Sequence, residues 1–236
     1  MKKIILTLCL VFSSFIFNDV TVSNAENNVE NNEANINNIL INNNELLERR
    51  IIEIEREMYL KILIQYVEFD AEIIIPECFD VKYVEYTYTV ANDLEIPSRI
   101  AFRLIFKEST FNDAVVSPKG AKGLMQLMPE TRKKYYNELR VDTMKLDKNQ
   151  EDIYIGLYYV KDLQKYWRER GNTEKNLMKL SLAAYNAGIG NVIKYKGVPP
   201  FKETTDFITF ILKSHSNPQF FAGFSKKYEN EIKNRT

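Results

Sequence analysis

Glu108 stands where a carboxyl group can do acid–base chemistry. It follows Leu104 by four residues, Ile105 by three and Ala101 by seven, so on a helix it shares their apolar face. A carboxyl held there loses hydration. That disfavours its charged form and raises its pKa toward the range in which a general acid keeps a proton near neutral pH. The residues alone leave two readings open: such an acid, or a helix-end Glu whose head reaches water. Asp113, five residues on, is the second candidate carboxylate nearby. Other reactive groups are few. The chain has one His and two Cys. His215 lies among Ser and Asn beyond the other motifs, where a surface role is expected, and Cys9 falls in an N-terminal apolar run. Cys78 is then without a partner, which excludes an internal disulfide and any multidentate His/Cys metal site within one subunit. A calcium site built on carboxylates alone stays open, but no EF-hand spacing occurs, so the expectation is no metal and no cofactor.

The helix carrying Glu108 is expected to start at Ser98, which follows Pro97 and can cap it. Upstream, Val81, Val84, Tyr88 and Ala91 recur at helical spacing, although the Tyr and Thr content of residues 83–90 also suits a strand. Downstream, a helix is predicted over 131–139 behind Pro129. Another covers 151–170, where Ile153, Leu157, Val160, Leu163 and Trp167 share a face and Gly171 terminates it. Two more are predicted over 177–187, ending at Gly188, and over 206–213. No alternation is strong enough to found a sheet. The fold class is therefore mainly α.

The whole chain sets the limits. Its 236 residues, 45% of them hydrophobic, suffice for one sizeable core with a small appendage. Charges balance at 32 basic and 32 acidic residues, which argues against nucleic acid or an anionic membrane surface as partner. Residues 1–25 read as an export signal: Lys2 and Lys3, an apolar run from Ile4 to Phe17, then Ser23-Asn24-Ala25 for cleavage. The run is shorter than the ~18 residues a membrane span needs, so no span is expected after cleavage. Residues 26–44, dominated by Asn and Glu, are expected to be a disordered linker. Residues 45–76 form an amphipathic helix with Leu47, Ile51, Ile54 and Met58 as its stripe, stopped by Pro76. Over 45–75 that stripe suits either docking on its own domain or a protein partner through a short coiled coil. The catalytic domain is expected over 77–215 and a tail over 216–236.

Five segments then carry more than periodicity: ESTF at Glu108 to Phe111, SPKGAKGLMQLMP at Ser117 to Pro129, LDKNQEDIYIGLYYV at Leu146 to Val160, AAYNAG at Ala183 to Gly188, and PFKET at Pro200 to Thr204. In this order and at these separations they resemble the catalytic domain of soluble lytic transglycosylases, a lysozyme-like helical family of the goose-type kind with a substrate groove, across about residues 80 to 213. The resemblance implies an exported enzyme that cleaves the glycan strands of peptidoglycan, with Glu108 as catalytic acid/base. It gives Ser117, Gly123, Met125, Gln126 and Met128 to the groove wall, with Gln126 and Met128 facing sugar. Tyr185 and Asn186 match residues that approach the catalytic Glu and the sugar ring, and Glu203 matches a Glu thought to support groove geometry. Met125, Met128, Tyr185 and Phe111 would keep water out. Three positions depart from the family pattern. It commonly has Asp-Pro at Asp147-Lys148, an Asn at Asp152, and a hydroxylated aromatic at Phe207, the last change bearing on fine substrate preference.

Ordinary glycosidases set two carboxyls roughly 5 to 10 Å apart around the bond. Only Glu108 occupies such a motif position here, and the family pattern assigns Asp113 nothing. The resemblance therefore implies attack by the muramic acid's own 6-hydroxyl, leaving a 1,6-anhydromuramic end. Two rivals are a hydrolytic muramidase on the same fold and a non-catalytic glycan-binding component of an envelope-spanning complex recruited through residues 45–75.

Overall fold

A computed structural model describes residues 30–214 of the chain. The export signal, the first residues of the linker, His215 and the tail lie outside the described residues. The chain divides into two units, Met1–Lys61 and Ile62–Thr236.

The first unit contributes the start of a 42-residue helix, α1 (Glu30–Ala71). This helix occupies most of the segment whose composition predicts disorder. No Gly or Pro interrupts the chain between Glu30 and Ile75, so once a helix is nucleated nothing local breaks it. Every side chain from Ile41 to Met58 is exposed. The helix stops at Ala71 rather than at Ile75, where Glu72 turns left-handed with φ 51°.

In the second unit the expected string of helices is present as α2 (Val81–Asp93), α3 (Ser98–Ser109), α4 (Pro129–Glu138), α5 (Lys148–Arg168), α6 (Glu174–Ala187) and α8 (Lys202–Leu212), with one short helix that was not expected, α7 (Ile189–Lys194), between the last two. A 3₁₀ turn, Val141–Thr143, joins α4 to α5. Among the described residues the β structure is limited to two isolated antiparallel bridges, Val116 with Lys122 and Lys122 with Leu127. The Tyr- and Thr-rich stretch is helical, as α2, because Val84, Thr87, Val90 and Ala91 form one buried face that alternation could not supply.

α3 is the central helix. Ile100, Ala101, Phe102, Arg103, Leu104 and Ile105 are all buried, the signature of a helix covered on every side. Ser98 does not cap it: the N-cap is Pro97, and the Ser98 hydroxyl donates to Asp70 Oδ2 at 3.0 Å. The fully buried Arg103 fixes the helix axially. Its guanidinium donates to the carbonyls of Ala71 (2.6 Å), Ile211 (3.2 Å) and Lys213 (2.7 Å), three acceptors at the ends of α1 and α8 that have no other helical partner. Glu72 Oε2 supplies the counter-charge, 3.9 Å from Arg103 and 3.2 Å from Lys213.

α5 is the second pillar. Its apolar stripe, Ile153, Leu157, Val160, Leu163 and Trp167, is buried as the spacing predicts. It starts three residues earlier than expected because Asp147 and Gln150 form a reciprocal capping box. The sequence SPKGAKGLMQLMP makes a compact turn between α3 and α4, tied by Ser117 N to Ala121 O at 2.9 Å and Gly123 N to Val115 O at 3.1 Å.

Candidate active site

Glu108 lies in the last turn of α3, half-buried, and the helix ends abruptly beyond it. Thr110 and Phe111 are both left-handed, with φ 51° and 64°. That conformation is sparsely populated for non-Gly residues and persists only where packing enforces it. Here Phe111 is buried against Phe79, ring centroids 4.8 Å apart, and against Phe106 at 6.1 Å. The sharp stop turns the chain away directly after Glu108, whose side chain stays only partly exposed. Burial raises its pKa from 4.5 to about 8, the charge of Glu203 adds to the rise, and Lys107 opposes it. Of the two readings left open by the sequence, the desolvated acid is the one this environment supports.

Two further residues converge on that carboxyl. Tyr185, near the end of α6, feels the charge of Glu108, and burial above all holds its phenol well above the ordinary value, so it stays a neutral donor. Its hydroxyl donates to Met125 O at 2.6 Å, and its ring packs on Tyr159 of α5 with centroids 5.3 Å apart. Glu203, in the first turn of α8, is exposed and is the carboxylate whose charge acts on Glu108. Asp113 is occupied elsewhere, accepting from Asn149 Nδ2 at 2.9 Å. Next to Tyr185, Asn186 accepts from the buried Thr204 hydroxyl at 2.7 Å, which ties the end of α6 to α8.

The turn segment differs in detail from the expected groove wall. Met125 is completely buried, so its side chain cannot face a glycan. It fills the space beside Gly156, where an added Cβ would come within 2.5 Å of Met125 Cε. Its backbone carbonyl, not its thioether, meets Tyr185. Phe111 is likewise buried and serves the helix stop rather than the groove. Met128 is 43% exposed. Gln126 is half-buried with φ 46°, and its amide nitrogen donates to Val115 O and Gly123 O, both at 2.9 Å, so the side-chain nitrogen is committed to the turn. Ser117 closes the turn, its hydroxyl accepting from Ala121 N at 3.0 Å.

Asp152 and Arg132 carry a role that sequence reasoning missed. Asp152, 2% exposed on α5, accepts from Met125 N at 3.0 Å and pairs with Arg132 of α4. Burial raises the Asp152 pKa, while Arg132 and the backbone amides of Met125 and Leu124 pull it down. Gly123 is required beside it: φ is 80°, and a Cβ there would fall inside van der Waals contact of Asp152 Oδ2. The visible signal was the departure itself, an acid where the family has an amide. Its Arg partner, twenty residues away in sequence, follows no periodicity. The chain Arg132, Asp152, Met125 backbone, Tyr185 thus links α4, α5, the turn and α6 around Glu108.

Comparison with known proteins gives a consistent picture. The transglycosylase SLT domain family matches residues 85–208. The soluble lytic murein transglycosylase of Escherichia coli (strain K12) is 29% identical over 166 residues, covering 63% of this chain and 25% of the relative. The Salmonella typhimurium protein of the same name is 27% identical over 166 residues with the same coverage. The chain thus spans about a quarter of the length of these relatives. Among solved structures, an inactive mutant of the lytic transglycosylase Slt from Pseudomonas aeruginosa is 23% identical, with a TM-score of 0.47 over 64% of this chain and 25% of that one. The 70 kDa soluble lytic transglycosylase of Escherichia coli is 21% identical, with a TM-score of 0.45 over 89% of this chain and 41% of that one. Because the family match covers more than half of the chain and takes in Glu108, the turn, Tyr185 and Glu203, this protein belongs to the transglycosylase SLT domain family and has its lysozyme-like, mainly helical fold.

Proposed function

We propose that this chain is an exported lytic transglycosylase that cleaves the MurNAc–GlcNAc bond of peptidoglycan and leaves 1,6-anhydromuramic ends, acting in the periplasm or cell envelope. The observation that carries the reading is the Glu108 carboxyl, half-buried in the last turn of a buried helix and within reach of the Glu203 charge, where burial raises its pKa to about 8. At pH 7 such a group is protonated about ten to one, ready to act as general acid.

The chemistry runs as two proton movements on one carboxyl. Glu108 gives its proton to the glycosidic oxygen as the bond from the muramic C1 breaks, and the leaving GlcNAc departs with a hydroxyl. The resulting carboxylate takes the proton of the muramic 6-hydroxyl while that oxygen bonds to C1. Glu108 ends as it began, and no water enters the product. Tyr185 holds the turn that forms the groove wall, and Met128 and the Gln126 carbonyl face the sugar. Gly123, Ser117, Asn186 and Glu203 act through that geometry and through charge.

One observation favours the hydrolytic alternative. The Glu203 charge reaches Glu108, and a second carboxylate could activate water. Digestion of peptidoglycan by the chain from Glu26 onward, with mass spectrometry of the released muropeptides, separates the two. Anhydro ends, one water lighter than reducing ends, are expected, and none from Glu108→Gln. Reducing ends only would establish hydrolysis, and equal release by both proteins would remove Glu108 from catalysis.

A further inference from the structure

α1 presents an apolar stripe that the catalytic unit does not explain. Leu47, Ile51, Ile54 and Met58 are 60%, 41%, 46% and 56% exposed. A helix of this kind takes most of its stability from packing an apolar face, and none of residues 41–58 is buried. The stripe recurs at four, three and four residues, a heptad pattern with Leu47 and Ile54 at d and Ile51 and Met58 at a.

We infer that residues 44–58 of α1 form a short parallel two-stranded coiled coil with a second copy of this chain. Three features select that occupant. Asn44 falls at the a position before Leu47, and a single a-position Asn favours parallel, in-register pairing because each amide then finds its twin. Leu47 at d followed by Ile51 at a suits two strands. The flanking charges are self-complementary: Arg50 at g lies opposite Glu55 at e of the other copy, on both sides of the seam. In the antiparallel alternative Arg50 would meet Glu57 twice, but Glu48 would face Glu55 twice and offset that gain, whereas the parallel pairing carries no like-charge contact at these positions. Arg50 now reaches Glu53 of its own helix at 2.6 Å, an exposed pair of little worth that exchange for Glu55 would replace at small cost.

Sedimentation equilibrium of the chain from Glu26 onward, the form expected after export, tests the inference across a micromolar concentration series. The weight-average mass should rise toward twice the monomer value, with the helical circular dichroism signal per residue rising alongside it. Ile51→Glu with Ile54→Glu should abolish both rises and leave glycan cleavage in dilute solution unchanged, since both positions are exposed and remote in sequence from the catalytic segments. In a Cys78→Ser background, Asn44→Cys should form an interchain disulfide on mild oxidation, which only in-register parallel strands allow. A monomer at every concentration, leaving the stripe to a different partner, would overturn the inference. So would a trimer, toward which Ile at neighbouring a and d layers leans, a dimer that survives the double substitution, or failure of the cysteine pair to cross-link.

Discussion

Replacing Glu108, the proposed catalytic acid, should make this protein more stable, and increasingly so as pH rises. Glu108 has a pKa of about 8 when folded and 4.5 as its ordinary value. Between those values the folded chain holds a proton that the unfolded chain has released, so stability falls as pH rises through that window. At 1.36 kcal/mol for each pKa unit, the loss is about 3 kcal/mol at pH 7 and about 5 kcal/mol once both states are ionised above pH 9. Glu108→Gln keeps the shape and removes the titration. Its advantage over the parent should therefore be under about 1 kcal/mol near pH 5, about 3 near pH 7 and about 5 near pH 9. Urea unfolding of both proteins at those three pH values reads the difference directly, and other titrating groups cancel between them. An advantage that stays flat from pH 5 to pH 9 would refute the claim that burial holds this carboxyl in its protonated form, and with it the physical basis for general acid catalysis here.

The same carboxyl sets the activity profile: kcat/KM should fall as pH rises through about 8, and Glu203→Gln, by removing a charge that lifts Glu108, should move that limb toward lower pH. Lys107→Gln should move it the other way, since that ammonium lowers the Glu108 pKa. Tyr185→Phe deletes the donor to Met125 O and should cost about 1–3 kcal/mol in denaturant unfolding. Because the loss also frees the turn, kcat should drop more than KM rises. Gly123→Ala brings a methyl against Asp152 at φ 80° and should destabilise by about 1–3 kcal/mol while abolishing glycan turnover in a muropeptide release assay.

The helices were legible in the sequence, and the side-chain directions at the turn were not. The spacing of Ile153 to Trp167 gave α5 because burial and periodicity agree there. α2 was ambiguous because Tyr and Thr fit a strand locally, and only packing of Val84, Val90 and Ala91 decides for a helix. Leu104, Ile105 and Ala101 placed Glu108 on the apolar face but left open whether its head reaches water, which only the packing around the helix end decides. Met125 was misplaced because a turn has no period: whether its thioether points outward or toward Gly156 depends on α5, a contact formed across thirty-one residues. The linker over 26–44 was expected to be disordered because composition reports only how little can be buried, while helix continuity from Glu30 reports the lack of breakers.

The Asp152–Arg132 pair explains why this site tolerates an acid where its family has an amide. A carboxylate at 2% exposure would ordinarily cost several kcal/mol of lost hydration, and an uncompensated one would protonate instead. Arg132 and the Met125 amide supply the compensation, one as charge and the other as an oriented donor. An ionised Asp holds the Met125 peptide more tightly than a neutral Asn would, because a charge-assisted bond is about twice as strong as a neutral one. The consequence is directional. Asp152→Asn in this chain leaves the half-buried Arg132 cation without its partner beside the turn, and should impair both stability and turnover. Adding Arg132→Ala to that change, which restores a neutral pair of neighbours, should recover most of the loss. If the double variant loses as much as the two single ones added together, the pair does not act as a unit and the turn is held by its backbone bonds alone.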